Sequence, residues 1–213
     1  MGRYDLLLGY VSKNIPPASI FSFDLETRLT KPGAFLSGER IIAVSCSYGL
    51  PEVKTELFVA EEETPEEEIR ILEDTDRLLR QIDPAVILGY NHTGYDIPLV
   101  QSKIKRLPYE KRLRNFEYYL GTAWSLDMMY VIADDLWKYD GDYYIRKLDD
   151  VVMHERYYSL PLMRKKSLAR RQGMNKGDVI YDLWKNDRKS FEEYCKGDTS
   201  DLLLIFNDIA FSQ

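Results

Sequence analysis

Three acidic stretches follow one another along the chain: Ser22-Phe23-Asp24-Leu25-Glu26-Thr27, then Gly89-Tyr90-Asn91-His92-Thr93-Gly94-Tyr95-Asp96, then Tyr194-Cys195-Lys196-Gly197-Asp198. Between them they offer four carboxylates and one phenol. Hard divalent ions such as Mg²⁺ and Mn²⁺ prefer carboxylate oxygens. Two such ions held together are the usual apparatus for in-line attack of water on a phosphodiester. The chemistry within reach of these residues is hydrolysis of a nucleic-acid backbone.

Each motif also has a plainer reading. Asp24 and Glu26 are two apart in an apolar stretch, so in a strand they share a face. With 35 acids in 213 residues, however, chance supplies roughly six acid-x-acid pairs. Asp96 stands just ahead of Pro98, which also suits a helix N-cap. Asn91 reads equally as a turn residue. Tyr194 and Asp198 are four apart and stack on one helix face, which an ordinary half-buried pair would also do. Gly197 is less ordinary, since an interior helical glycine costs about 1 kcal/mol against alanine and calls for a close neighbour. His92 and His154 are isolated and read as structural or surface residues. The chain has no P-loop, Cys/His zinc spacing or serine-nucleophile elbow.

These residues need a scaffold that brings three distant segments together. After the Pro16-Pro17 breaker, residues 18–26 read as a strand, and 40–49 and 55–60 as two more, with Gly49-Leu50-Pro51 as the turn between those two. Thr64-Pro65-Glu66-Glu67 starts a helix, with an N-cap, proline at the first position and acids in the first turn. Ile69, Leu72, Leu78, Leu79 and Ile82 predict its buried face. Residues 85–90 form a short apolar run of the kind found in buried central strands. A helix over about 98–106 follows, then a strand at 123–126, a helix from 127 to 137 and a short one at 147–152. Residues 164–173 give no clear signal, and 190–211 read as the last helix. The sum is an α/β fold in which an antiparallel meander and parallel strands form one mixed sheet flanked by helices. No repeat or linker interrupts residues 1–213, so one domain is expected.

At 45% hydrophobic residues the chain has enough apolar material for a core. No run approaches the ~18 apolar residues of a membrane span. Two cysteines do not make a disulfide framework. With no secretory signal at the N-terminus, the expected compartment is the cytoplasm. A net charge of −6 looks wrong for a nucleic-acid partner, but two divalent ions would bring four positive charges and leave −2. The charge is also uneven: residues 61–76 hold nine acids and only Arg70, and are expected on a face remote from the site. Lys103, Lys105, Arg106, Lys111, Arg112 and Arg114 crowd one segment, and Arg164, Lys165, Lys166, Arg170 and Arg171 another. Such segments attract phosphates, or are ordinary solvated surface.

The ordered set resembles the DEDD superfamily of 3′–5′ exonucleases with the ribonuclease H-like fold, and most of all the proofreading exonuclease domains of family B DNA polymerases. Those carry Phe-Asp-Ile/Leu-Glu-Thr, Gly-Tyr-Asn-x-x-x-Phe-Asp-x-Pro and Tyr-x-x-x-Asp. Here Phe23 to Thr27, Gly89 to Pro98, and Tyr194 with Asp198 take those places, and Tyr95 replaces the usual phenylalanine. Leu126 to Tyr130 and Arg146 to Val152 resemble the family's intervening region. The histidine subtype would have His at the position of Glu193, so Tyr194 marks the tyrosine subtype. The resemblance implies a metal-dependent 3′–5′ exonuclease acting on single-stranded 3′ ends, DNA before RNA, with two Mg²⁺ or Mn²⁺ ions and replication or repair partners. It implies that Asp24 bridges the ions, that Glu26 and Asp198 complete the ion on the side of the attacking water, and that Asp96 supports the other. Tyr194 would orient the water, and Asn91, Thr27, Lys165 and Lys166 would hold the strand. A chain of this length in which no palm motif with its Asp-x-Asp follows the third acidic motif is expected to be a stand-alone nuclease. The competing expectations are a catalytically silent nucleic-acid-binding subunit of the same fold and an exoribonuclease.

Overall fold

The computed structural model describes residues 4–29, 39–141, 144–163 and 176–211. Five strands form one mixed sheet: β1 (Ile20–Leu29), β2 (Glu39–Tyr48), β3 (Lys54–Val59), β4 (Val86–Gly89) and β5 (Trp124–Asp127), in the order β3-β2-β1-β4-β5. The first three pair antiparallel, and β4 and β5 add parallel on the far side of β1. The helices are α1 (Asp5–Asn14), α2 (Pro65–Ile82), α3 (Asp96–Ile104), α4 (Arg114–Thr122), α5 (Met128–Asp140), α6 (Leu148–Val151), α7 (Lys176–Asn186) and α8 (Arg188–Phe211). This is the α/β arrangement expected from the sequence, with α1, α4 and α7 added. The weak segment 164–173 lies outside the described residues. Among the described residues no helix is long and apolar enough to cross a membrane.

Strand alternation divides the core. Phe21, Phe23 and Leu25 point to one side, where Phe116 of α4 packs edge-on against Phe23 and α2 lies against α4. Ile20 points to the other side, into a second cluster with α1, α5 and the C-terminal half of α8. Alternation then places Ser22, Asp24 and Glu26 on the side of Ile20. The acidic helix α2 therefore packs on the opposite face of the sheet from Asp24 and Glu26. Its start follows the sequence signal, for Thr64 Oγ1 accepts from the Glu67 N–H at 3.3 Å. Its buried face is Ile71, Leu72, Thr75, Leu78 and Leu79, whereas Ile69 is only half-buried.

Helix α8 crosses β1 to β4 on residues with little bulk. Gly197, Thr199, Ser200 and Asp201 are buried, and Ser45 and Ser47 of β2 face them. The Thr199 hydroxyl lies 2.8 Å from Ser45 Oγ and 2.9 Å from Ser47 Oγ, which in turn bonds Thr55 Oγ1 at 2.8 Å. Small side chains allow the close approach, and the hydroxyls satisfy one another.

The turn from β4 to α3 is held from beneath by His92, which is 0% exposed. Its Nε2 shares a 2.8 Å hydrogen bond with Ser125 Oγ, and its ring meets Phe23 edge-on. The side chain folds over Gly89, where a Cβ would come within 2.5 Å of His92 Cβ and 2.6 Å of its ring. Burial holds the His92 pKa below its ordinary value, an effect partly opposed by Asp127.

Two outcomes are expected. Thr199→Val strips the partner from Ser45 in a closed seam and should lower stability by about 1–3 kcal/mol in urea unfolding. A loss indistinguishable from that of Thr122→Val, a control at an exposed position, would show that the seam needs no hydroxyl there. Secondly, burial makes the folded His92 harder to protonate than the unfolded imidazole, which takes a proton near pH 6.5. Its contribution is therefore present above about 6.5 and lost as pH falls below it. The raised carboxyl of Asp96 works in the opposite sense, so the measure is the difference between wild type and His92→Gln. The wild-type urea midpoint should drop across that interval relative to the variant. A difference that does not change with pH would refute the buried, hard-to-protonate ring.

Candidate metal centre

Asp24 and Glu26 lie where β1 outruns its neighbour. The pairing of β1 with β4 covers only Ile20 to Ser22, and the next residues extend past the end of β4. On the other edge, the β1–β2 register shifts between Glu26 and Thr27, a bulge immediately beyond the acidic pair. Bulges of this kind re-aim side chains beside sites. Asp24 sits opposite Ser45, so the residue under α8 next to the carboxylate is small.

Asp198 arrives from α8 and is 5% exposed. Asp24, Glu26 and Asp198 each present a ligand oxygen, and these atoms lie within 4.8 Å of one another. Asp96 arrives from the N-terminus of α3, 3% exposed, and its carboxylate accepts from the backbone N–H groups of Leu25 and of Asp96 itself. Burial, and then the charges of Asp24 and Glu26, drive its pKa well above the ordinary carboxylate value. The second motif thus reaches the first through the edge of β1 that β4 leaves. Four acids with mutual repulsion and oxygen-only donors fit a hard divalent cation.

Tyr194 is one helical turn before Asp198 and 6% exposed. Burial, followed by Glu26, Asp24 and Asp149, pushes its phenol well above the ordinary tyrosine pKa. Asp149 belongs to α6, within the Arg146–Val152 segment, and no motif of its own marks it in the sequence. The segment is fastened by Tyr90, whose hydroxyl donates to the carbonyl of Arg146.

The expected strand-holding residues fall out differently. Thr27 follows Glu26, and its hydroxyl shares a 2.8 Å hydrogen bond with Tyr95 OH, beside Asp96. The hydroxyl that distinguishes Tyr95 from phenylalanine thus reaches both Thr27 and Glu39. Asn91 is an exposed turn residue with φ 60°, a left-handed conformation that asparagine tolerates. Lys165 and Lys166 lie outside the described residues, as do Arg164, Arg170 and Arg171. In the other basic segment Lys103 is committed to structure: it pairs with Glu68 at 2.7 Å and donates to the carbonyl of Glu39. Arg112 pairs with Glu117 at 3.8 Å and, with Arg114, lies over the Tyr109 ring.

The family model for the exonuclease domain of family B DNA polymerases matches residues 3–122, which include the first two acidic motifs. Among solved structures, the family B DNA polymerase of the hyperthermophilic archaeon Pyrobaculum calidifontis superposes with a TM-score of 0.58 at 16% identity. That match covers 91% of this chain and 24% of the polymerase, so this chain corresponds to about a quarter of that protein's length. At such identity the likeness bears on the fold, and it extends beyond residue 122. No curated protein matches the chain. The five-stranded mixed sheet, the residues it gathers and the matched family model agree: the chain belongs to the exonuclease domain family of family B DNA polymerases.

Proposed function

We propose that this chain is a metal-dependent 3′–5′ exonuclease that removes nucleotides from single-stranded ends, with DNA as the preferred substrate. The observation that carries the reading is the meeting of Asp24, Glu26 and Asp198 within 4.8 Å, with Asp96 pushed against the same charges. An inert binding module has no use for such a cluster, because like charges in a half-buried cleft cost stability unless a cation offsets them. Family membership supports the reaction class, and the family's polymerase context supports DNA over RNA.

Asp24, central on β1, would be shared between two ions, with Glu26 and Asp198 completing one and Asp96 supporting the other. Divalent ions in that position supply Lewis acidity, making water a better nucleophile and offsetting charge on the phosphoryl oxygens. The protein's part is geometric. Strand β1 fixes two carboxylates rigidly, α8 brings the third, and α3 the fourth, so little reorganisation remains when the strand binds. Tyr194 is a poor base, since its pKa lies above an already high intrinsic value of about 10. Its hydroxyl therefore orients the attacking water. Thr27, steadied by Tyr95, and Asn91 are proposed as contacts to the terminal nucleotide, and Lys165 and Lys166 as phosphate contacts.

A single strand of DNA labelled at its 5′ end should give a descending ladder in Mg²⁺ or Mn²⁺ and none in EDTA, with a matched RNA cut more slowly. Cleavage that survives chelation would defeat the metal reading, and faster RNA cleavage would reverse the substrate preference.

Asp24→Ala should remove nearly all turnover. Tyr194→Phe removes a single hydrogen bond and should keep measurable activity, because orientation is worth less than the roughly 10²–10⁴-fold of a general acid or base. Equal loss in the two variants, measured as kcat on the same labelled strand, would overturn the orienting role.

A further inference from the structure

Asp127 closes β5 and caps α5, yet most of its hydrogen bonds go elsewhere. Its Oδ1 accepts from the Met129 N–H at 3.2 Å, as an N-cap should, and from the Asn91 N–H at 2.8 Å. Its Oδ2 accepts from the Thr93 hydroxyl at 2.6 Å and from the Thr93 N–H at 3.4 Å. Three of these four contacts thus run to the turn between β4 and α3. Within that turn the carbonyl of Asn91 accepts from the N–H groups of Gly94 and Tyr95, and that of His92 from Ile97. Asp96 is the next residue after Tyr95 and the first of α3. A short, fully bonded path therefore leads from the end of β5 to the buried carboxylate of Asp96.

The path has a mechanical purpose. Asp96 is packed beside Asp24 and Glu26, and three like charges repel. The turn that carries Asp96 is open to solvent at Asn91, Thr93 and Gly94, so burial alone does not hold its outer rim. What holds it is Asp127 above and His92 beneath.

We propose that Asp127 is a positioning residue for the metal centre, tethering the 91–95 turn so that Asp96 stays seated against Asp24 and Glu26. This rests on the nuclease reading. Asparagine at this position keeps an oxygen for the Asn91 N–H and offers an amide to the Thr93 hydroxyl. Asp127→Asn therefore keeps two of the three turn contacts and gives up only the 3.4 Å bond from the Thr93 N–H. Alanine keeps none of them.

The test compares the wild-type chain with Asp127→Ala, Asp127→Asn and Thr93→Val by amide hydrogen exchange, calorimetric Mn²⁺ titration and strand cleavage. Asp127→Ala should speed exchange across residues 91–97 and weaken Mn²⁺ binding about 10–100-fold, the usual effect of losing a partner behind a metal ligand. Its kcat should fall on the order of 10²-fold with little change in KM, as for a displaced reactive group. Asp127→Asn should recover most of each value, and Thr93→Val should fall between. Faster exchange confined to the first turn of α5, with Mn²⁺ binding unchanged, would reduce Asp127 to a helix cap and overturn the proposal. If Asp127→Ala does not fold, Thr93→Val decides alone, for it removes one turn contact and leaves the cap intact. A wild type that neither binds Mn²⁺ nor cuts would sink the nuclease reading instead, and the exchange comparison would still decide the tether.

Discussion

Carboxylates do not gather in a half-buried cleft of their own accord. Asp24, Glu26, Asp96 and Asp198 repel one another, and every element of the fold that touches them works against that repulsion. The first defence is covalent rigidity, since Asp24 and Glu26 lie on the central strand of the sheet and cannot separate. The second is backbone hydrogen bonding to Asp96 from Leu25, which partly offsets the cost of its burial. The third is the seam under α8, where bonded hydroxyls fix the height of the helix and with it Asp198 and Tyr194.

The two faces of the sheet divide this labour. Aromatic and aliphatic side chains under α2 and α4 supply most of the packing on one side. The other side gives up bulk near the site, with serine and glycine where larger residues would add burial. Such a division is consistent across levels: the strand alternation that buries Phe21, Phe23 and Leu25 is what exposes Asp24 and Glu26 to the ions they are suited to hold.

Much of this was legible because it depends on local chemistry. Alternation in β1, the capping signals of α2 and the four-residue spacing of Tyr194 and Asp198 are properties of neighbours in sequence. Helix α4 was missed for a physical reason. No side chain caps it locally, and its first turn is satisfied from α2, where Asp76 accepts from the Phe116 N–H at 2.8 Å and the Asn115 amide at 2.7 Å. Helix α1 likewise begins without a side-chain cap and has glycine at its centre. The acidic run at 61–76 showed its location but not its employment, because its partners are distant: Glu68 serves the N–H of Ile41 and Lys103, and Glu63 receives the hydroxyl of Tyr181. Lys103, in one of the two basic segments, is likewise employed at a distance, on Glu68 and the carbonyl of Glu39. Asp127 was visible only as the junction of a strand and a helix, within a stretch that resembles the family's intervening region.

Because Tyr194, Asp198 and Thr199 ride on one helix, they are locked in phase. Each residue added to an α-helix turns the remainder of that helix by about 100°. A single insertion between Tyr194 and Thr199 would swing the seam hydroxyl away from Ser45 and Ser47 while leaving the phenol in place. One after Thr199 would instead move Asp201 off the backbone of Met163, whose N–H it accepts at 2.7 Å. This stretch can exchange one side chain for another but cannot change length, so divergence in size within this fold must be absorbed in the connections between elements rather than in the helix that closes the site.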